Sequence, residues 1–217
     1  MMTGICACFL WLGSAAFSVT QLHSVGFGKW TSIRLAEEGA EKRLDVRTRP
    51  LLVDGRIKEF IVGQPHDVTE WTFVVQRVYR LNDSLPQETG AIHWLWQRGG
   101  WLLVNRSTGK VQPILLPAFD PYSSDANWFR DYAAYCGVSD DGQKSFAIVA
   151  QLGSKKPLLK KPLADSSAGQ DFECKTPIWQ RDPARVIFEP KNEAKFTYTV
   201  KSRAVDLLSS DADEGEE

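Results

Sequence analysis

Tyr132-Ala-Ala-Tyr-Cys-Gly-Val138 and Lys144-Ser-Phe-Ala-Ile-Val-Ala-Gln-Leu152 are two β-prone runs on either side of Ser139-Asp140-Asp141-Gly142. Asp-Gly strongly favours a tight hairpin because both residues tolerate a positive φ. The sequence therefore predicts a β-hairpin over residues 132–152.

The same pattern occurs upstream, where residues 44–52 and 57–62 flank Asp54-Gly55 and predict a first hairpin. Residues 71–81 alternate so that one face is more polar than the other, as in a half-buried strand. Three short strands are predicted next, over residues 93–97, 101–104 and 111–116, with a turn at Gly99-Gly100 and Pro113 at a sheet edge or bulge.

Strand signals continue to the end of the chain, around residues 158–159, 184–188 and 195–205, whereas residues 164–177 resemble a loop. Ser124-Asp125 predicts the cap of a short helix over residues 127–130. The expected class is all-β or mostly β. It is built from antiparallel hairpins and meanders as a sandwich, irregular barrel or partial propeller, with at most one or two short helices.

A chain of 217 residues is long enough for one β-rich domain, which we assign to residues 19–205. The last twelve residues, 206–217, hold six acids and no base, and we expect them to be a disordered acidic tail. The rest of the chain then has only five more basic than acidic residues. The one dense basic cluster, in residues 155–161, is typical of a solvated hairpin edge rather than a nucleic-acid interface, so we expect no nucleic-acid partner.

The N-terminus predicts export. Residues 5–12 form an uncharged apolar run, and Ala16-Phe17-Ser18 resembles a small-x-small cleavage site, so residues 1–18 are expected to be a signal peptide. Because residues 1–4 contain no lysine or arginine, a mis-assigned start or a buried N-terminal strand stays open. No apolar run is as long as the about 20 residues that a membrane-spanning helix needs, so we do not expect an integral membrane protein. We expect a periplasmic or secreted protein.

Cysteine usage agrees with that compartment. Cys6 and Cys8 lie in the expected signal peptide, which leaves Cys136 and Cys174 as a pair. In an oxidising compartment such a pair predicts one disulfide. Two buried free thiols are the alternative.

Two segments share a pattern with a known family: Trp101-Leu-Leu-Val-Asn-Arg-Ser-Thr-Gly109-Lys-Val and Gly137-Val-Ser-Asp140-Asp141-Gly142-Gln-Lys-Ser-Phe146-Ala-Ile-Val. An apolar strand that reaches a Thr-Gly turn, followed by a Ser-x-Asp-Gly hairpin, resembles the blades of TolB-type bacterial β-propellers. The resemblance covers about a quarter of the chain and implies blade-like sheets. A chain of this length has room for about four blades.

Catalytic signatures are missing from the sequence. It contains no zinc-binding His-Glu-x-x-His, no Gly-x-Ser-x-Gly elbow and no Cys-x-x-Cys pair, so we expect no catalytic residue, metal or cofactor. His66 beside Asp67, or His93 with a distant acid and serine, leave a hydrolase as the alternative. The loop carboxylates and amide between Asp120 and Asp131 are interpreted as turn-forming and capping groups rather than Ca²⁺ ligands.

Tryptophans supply the one candidate site. Trp94, Trp96 and Trp101 lie within nine residues, and Trp94 and Trp96 share a strand face if the segment is extended. Exposed rings of this kind can stack on sugars or anchor a protein partner, whereas buried ones belong to the core. The sequence thus favours a non-catalytic exported binding or structural module whose ligand is a protein or a carbohydrate.

Overall fold

A computed structural model describes residues 22–35, 44–82, 84, 94–163, 174–191 and 193–200. The expected signal peptide and acidic tail both lie outside these residues. The described residues contain β-strands and no helix, which confirms the all-β class.

The strands follow one another closely. In chain order they are β1 Val25–Phe27, β2 Thr31–Leu35, β3 Leu44–Val53, β4 Arg56–Thr69, β5 Thr72–Asn82, β6 Trp94–Asn105, β7 Val111–Ile114, β8 Asn127–Phe129, β9 Tyr132–Val138, β10 Ser145–Gln151, β11 Leu159–Pro162, β12 Cys174–Gln180, β13 Arg185–Pro190 and β14 Phe196–Thr199.

Strands β2 to β6 form a barrel. Each pairs antiparallel with the next, and β2 returns to β6 through the single parallel pair Leu35–Trp96. An up-and-down ring with an odd number of strands must close with a parallel pair, because its first and last strands run in the same direction. Strands β1 and β7 extend this sheet along the remaining edges of β3 and β6.

Both Asp-Gly hairpins are confirmed. Asp54 and Gly55 have φ values of 53° and 74° in the β3–β4 turn, the backbone that the dipeptide was expected to adopt. Gly142 has a φ of 70° in the β9–β10 turn, where the Asp141 carboxylate accepts hydrogen bonds from Ser139 Oγ and the Gln143 amide.

Two smaller antiparallel sheets complete the fold. Strands β8 to β11 form a four-stranded meander, the middle sheet, and β12 to β14 form a three-stranded meander, the outer sheet. Strands β9 and β10 are buried almost throughout their length.

Alternation along β9 and β10 sends side chains to two different cores. Ala133, Tyr135 and Ile148 pack with Val74 of the barrel sheet. Their neighbours point the other way and pack against the outer sheet, namely Ala134, Cys136, Ala147 and Val149 with Val186 and Phe188. The middle sheet is therefore buried on both faces.

The Cys136–Cys174 disulfide is confirmed. It joins β9 of the middle sheet to β12 of the outer sheet, with the two Cα atoms 6.2 Å apart. Cys136 is 3% exposed and belongs to the core between these sheets.

Three local predictions are wrong. The helix expected over residues 127–130 is strand β8, because Asn127, Trp128 and Phe129 pair with β9. The turn expected at Gly99-Gly100 is a bulge inside one continuous strand, β6. The loop expected over residues 164–177 ends earlier, since β12 begins at Cys174; residues 164–173 lie outside the described part of the chain.

The two segments that resemble propeller blades both form hairpins, but in different sheets. The first is β6–β7 of the barrel sheet, and the second is β9–β10 of the middle sheet. Pro113, expected at an edge, lies in β7, which pairs only with β6. The coarse expectation of a β-hairpin fold is therefore confirmed.

Removing the disulfide is expected to destabilise the sandwich of the middle and outer sheets. The bond joins residues 38 positions apart, and the chain-entropy estimate for such a loop is about 4 kcal/mol. We predict that Cys136→Ala/Cys174→Ala lowers the free energy of unfolding in urea by roughly this amount. Thr197→Ala, an exposed position on β14, is the control and should stay within about 0.5 kcal/mol. Two alkylatable thiols at these positions in the unreduced, denatured protein would contradict the bond itself.

Candidate ligand-binding site

A bulge in β6 places the three candidate tryptophans on one face of the barrel sheet. Trp96 pairs with Arg80 and Trp101 with Gln76, although an odd number of positions separates the two tryptophans. Gly99 and Gly100 together face only Arg77 across the ladder, and this extra residue restores the side-chain parity. A Cβ at Gly99 would lie 2.5 Å from Arg77 Cγ, so this position requires glycine.

Trp101 does not belong to an open site. Its ring packs edge-on against Trp128 at 5.4 Å between centroids, within the core between the barrel sheet and the middle sheet. Trp101 therefore has a packing role, and the pocket described below does not include it.

Trp94 and Trp96 lie at the other end of β6, where the barrel closes. Trp94 is 52% exposed. Trp96 is half-buried, meets Phe60 edge-on at 5.2 Å, and packs against a core formed by Ile33, Leu35 and Val78. The bulge thus separates a structural tryptophan from two that reach the surface.

Two adjoining cavities open beside these rings. One of about 350 Å³ is lined from all five barrel strands by Thr31, Ser32, Ile33, Thr48, Arg49, Pro50, Phe60, Arg80 and Trp96. The other, of about 220 Å³, lies between β2 and β6 and is lined by residues 32–35 and 94–96. They share Ser32, Ile33 and Trp96, so we treat them as one barrel-end pocket. The larger cavity alone is within the lower range of small-molecule sites.

Hydroxyl groups line the same pocket. Thr48 is buried, and its hydroxyl donates to the Ile61 carbonyl at 2.8 Å, which fixes the side chain and leaves its oxygen free to accept. Thr31 pairs with Thr48 and projects from the same face; it is exposed, and its hydroxyl bonds to no other group within the described residues. The pocket therefore offers an aromatic surface beside unused donors and acceptors.

The charged residues that line the pocket are all basic. Three arginines line it, Arg34, Arg49 and Arg80, and no acidic side chain is among its described lining residues. The Arg80 guanidinium lies over the Trp96 ring, 4.9 Å from its centroid. This geometry is a cation–π contact that holds the charge beside the cavity.

Arg49 is the most constrained of the three. Its guanidinium contacts the rings of Phe27 and Trp30 at 4.1 and 4.4 Å, and Nη2 lies 3.4 Å from Gln64 Oε1. Its Nε is buried without a hydrogen-bond partner in the described structure. Desolvation lowers the pKa of Arg49 from its usual value, because burial disfavours the charged form.

His66, which was considered for catalysis beside Asp67, has structural contacts instead. His66 Nε2 bonds to the Arg130 carbonyl at 2.9 Å, and its neighbour Asp67 pairs with Arg106 at 2.6 Å. His93 lies outside the described residues. His23 Nδ1 bonds to Asp54 at 2.8 Å, which lowers the pKa of that carboxyl, but no described hydroxyl or thiol bonds to its other ring nitrogen.

Asp120 has the turn-forming role expected of the loop acids, whereas Asp125 and Asp131 bind side chains that are distant in sequence. Asp120 accepts hydrogen bonds from the amides of Tyr122 and Ser123, Asp125 pairs with Arg98, and Asp131 accepts from Gln151. The described residues contain no group of three or more histidine, cysteine, aspartate or glutamate side chains placed to hold a metal ion. They also contain no helix long and apolar enough to cross a membrane.

Comparison with known proteins gives no further assignment. The chain matches no protein-family model, no curated protein and no solved structure. The sequence identified Trp94 and Trp96 but not Arg80, Phe60 or the hydroxyl of Thr31. Arg80 carried no local signal, because only the pairing of β5 with β6 places it beside Trp96.

The two surface tryptophans are expected to differ in their effect on stability. Trp94→Ala removes a half-exposed ring and should change the free energy of unfolding by less than about 0.5 kcal/mol. Trp96→Ala removes contacts with Phe60 and the barrel core and should cost roughly 2 to 3 kcal/mol, less than a fully buried ring. Urea unfolding of the single variants measures both values, and equal losses for the two would contradict this placement.

Proposed function

We propose that this chain is an exported, non-catalytic binding protein whose barrel-end pocket binds a carbohydrate. The observation that carries the proposal is the exposed Trp94 and half-buried Trp96 beside a cavity lined by hydroxyls and arginine. An apolar ring next to polar groups matches the surface of a sugar, which has C–H faces and hydroxyl edges.

The rigidity of the pocket supports a binding role. Trp96 is fixed by Phe60, Thr48 is fixed by its bond to Ile61, and five paired strands hold both in place. A preformed pocket loses little conformational entropy on binding. Neither described histidine bonds to a hydroxyl or thiol, so the hydrolase is the weaker alternative.

Export is part of the proposal. The apolar run at residues 5–12 motivates it, and the disulfide is consistent with an oxidising compartment. A relationship to TolB-type propellers is proposed only for the four-stranded meander β8–β11, which has the strand number and order of one blade.

A protein partner is the second candidate, and a different surface favours it. Leu115 is 92% exposed beside a groove of about 590 Å³ that is lined largely by apolar residues of the β7 region and by residues 152–155. Exposed apolar surface of this kind is typical of protein contacts.

Binding to immobilised neutral and acidic oligosaccharides tests the proposal. We expect the exported protein to bind a subset of them, and Trp94→Ala and Trp96→Ala to weaken binding at least about tenfold. Trp71→Ala is the matched control, because Trp71 is 55% exposed but lies at the β4–β5 turn. No binding to any saccharide, or an equal loss for Trp71→Ala, would contradict the proposal.

A further inference from the structure

The barrel-end pocket contains a cation that has no acidic partner among the described residues. Among the three lining arginines, Arg34 lies 3.6 Å from Asp45. Arg49 is held by Phe27, Trp30 and Gln64. Arg80 has no acidic partner among the described residues, and its one contact there is the Trp96 ring.

Strand pairing directs Arg80 toward the pocket. Arg80 and Trp96 are directly opposite each other in the β5–β6 ladder, and paired residues project from the same face of a sheet. Phe60 is on this face as well, since it pairs with Val78. The guanidinium therefore lies on the same side as the rings that line the cavity.

A cation–π contact leaves the N–H donors of an arginine available. The contact of Arg80 with Trp96 uses none of the five guanidinium donors, so they can bind a planar, bidentate acceptor. Carboxylate and sulfate oxygens fit that fork and form short charge-assisted hydrogen bonds. The pocket is thus built to receive an anion beside an aromatic stacking surface.

We infer that the ligand is an acidic saccharide, whose carboxylate or sulfate group binds Arg80 while its ring stacks on Trp96 and Trp94. The inference rests on the proposed carbohydrate-binding function and adds the ligand class and its anchor. The free hydroxyl of Thr31, on the same face of β2 as Ile33, is placed to hydrogen-bond the sugar hydroxyls. Arg49, already held by two rings, contributes less than Arg80.

Calorimetric titration of the full exported protein tests the anchor. The probes are three oligosaccharides of equal length, one neutral, one of uronic acids and one sulfated. We expect at least one acidic probe to bind at least about tenfold more tightly than the neutral one. Preference between the uronate and the sulfated probe identifies which anion the site accepts.

Variants separate a specific anchor from general charge attraction. Arg80→Gln should abolish the preference for the acidic probe, and Arg80→Lys should restore only part of it, because lysine keeps the charge without the planar fork. Arg56→Gln, the same charge change at the exposed first residue of β4, should leave binding unchanged. Thermal unfolding of each variant confirms that the exposed substitution leaves the fold intact.

Different results would contradict the acidic ligand and the carbohydrate-binding function. Equal binding of neutral and acidic probes, unaffected by Arg80→Gln, would overturn the acidic ligand and leave the carbohydrate function standing. Equal losses of affinity for the acidic probe in Arg80→Gln and Arg56→Gln would mean that binding depends on long-range charge attraction, which added salt screens. This result would also overturn Arg80 as the anchor. Absence of binding to all three probes would contradict the proposed function itself.

Discussion

Burial of both faces of the middle sheet is the constraint on which the other layers depend. Strands β9 and β10 can be covered on both sides only if their side chains are small or flat enough for a neighbour to approach. Alanine therefore recurs along them, at Ala133, Ala134, Ala147 and Ala150, all at most 4% exposed. Gly137 allows the Ala118 carbonyl to approach, since a Cβ there would lie 2.4 Å from that oxygen. The barrel and the outer sheet are thus held to opposite sides of one hairpin.

The site depends on this layering through β6. Its second half packs Trp101 and Leu103 against the middle sheet, while its first half presents Trp94 and Trp96 at the barrel end. One strand serves both purposes only because the Gly99-Gly100 bulge keeps these rings on the same face. The barrel closes there through the single Leu35–Trp96 pair, and the pocket lies where that closure is least complete.

Local chemistry predicted the hairpins, the all-β class and the disulfide, because Asp-Gly turns, alternation and a cysteine pair are signals within short segments. What the sequence could not provide is which sheet each hairpin joins. The position of Trp101 shows this limit, because its face depends on Gly99-Gly100. A diglycine is compatible with a turn or a bulge, and only the pairing of β5 with β6 decides between them. Arg80 and Thr31 enter the site through long-range pairing, which no local pattern encodes. Residues 127–129 form strand β8 despite the helix-capping signal at Ser124-Asp125, because Trp128 packs in the core between two sheets.

Native-state hydrogen exchange tests the central role of the doubly buried hairpin most directly. If β9 and β10 hold the layers together, amides within residues 133–137 and 146–150 should exchange slowest, and only through global unfolding. Strand β2 and the first half of β6, joined by one ring-closing pair, should exchange through smaller local openings. Exchange of the β9 and β10 amides by local opening, while amides of the barrel strands exchanged only through global unfolding, would contradict this central role.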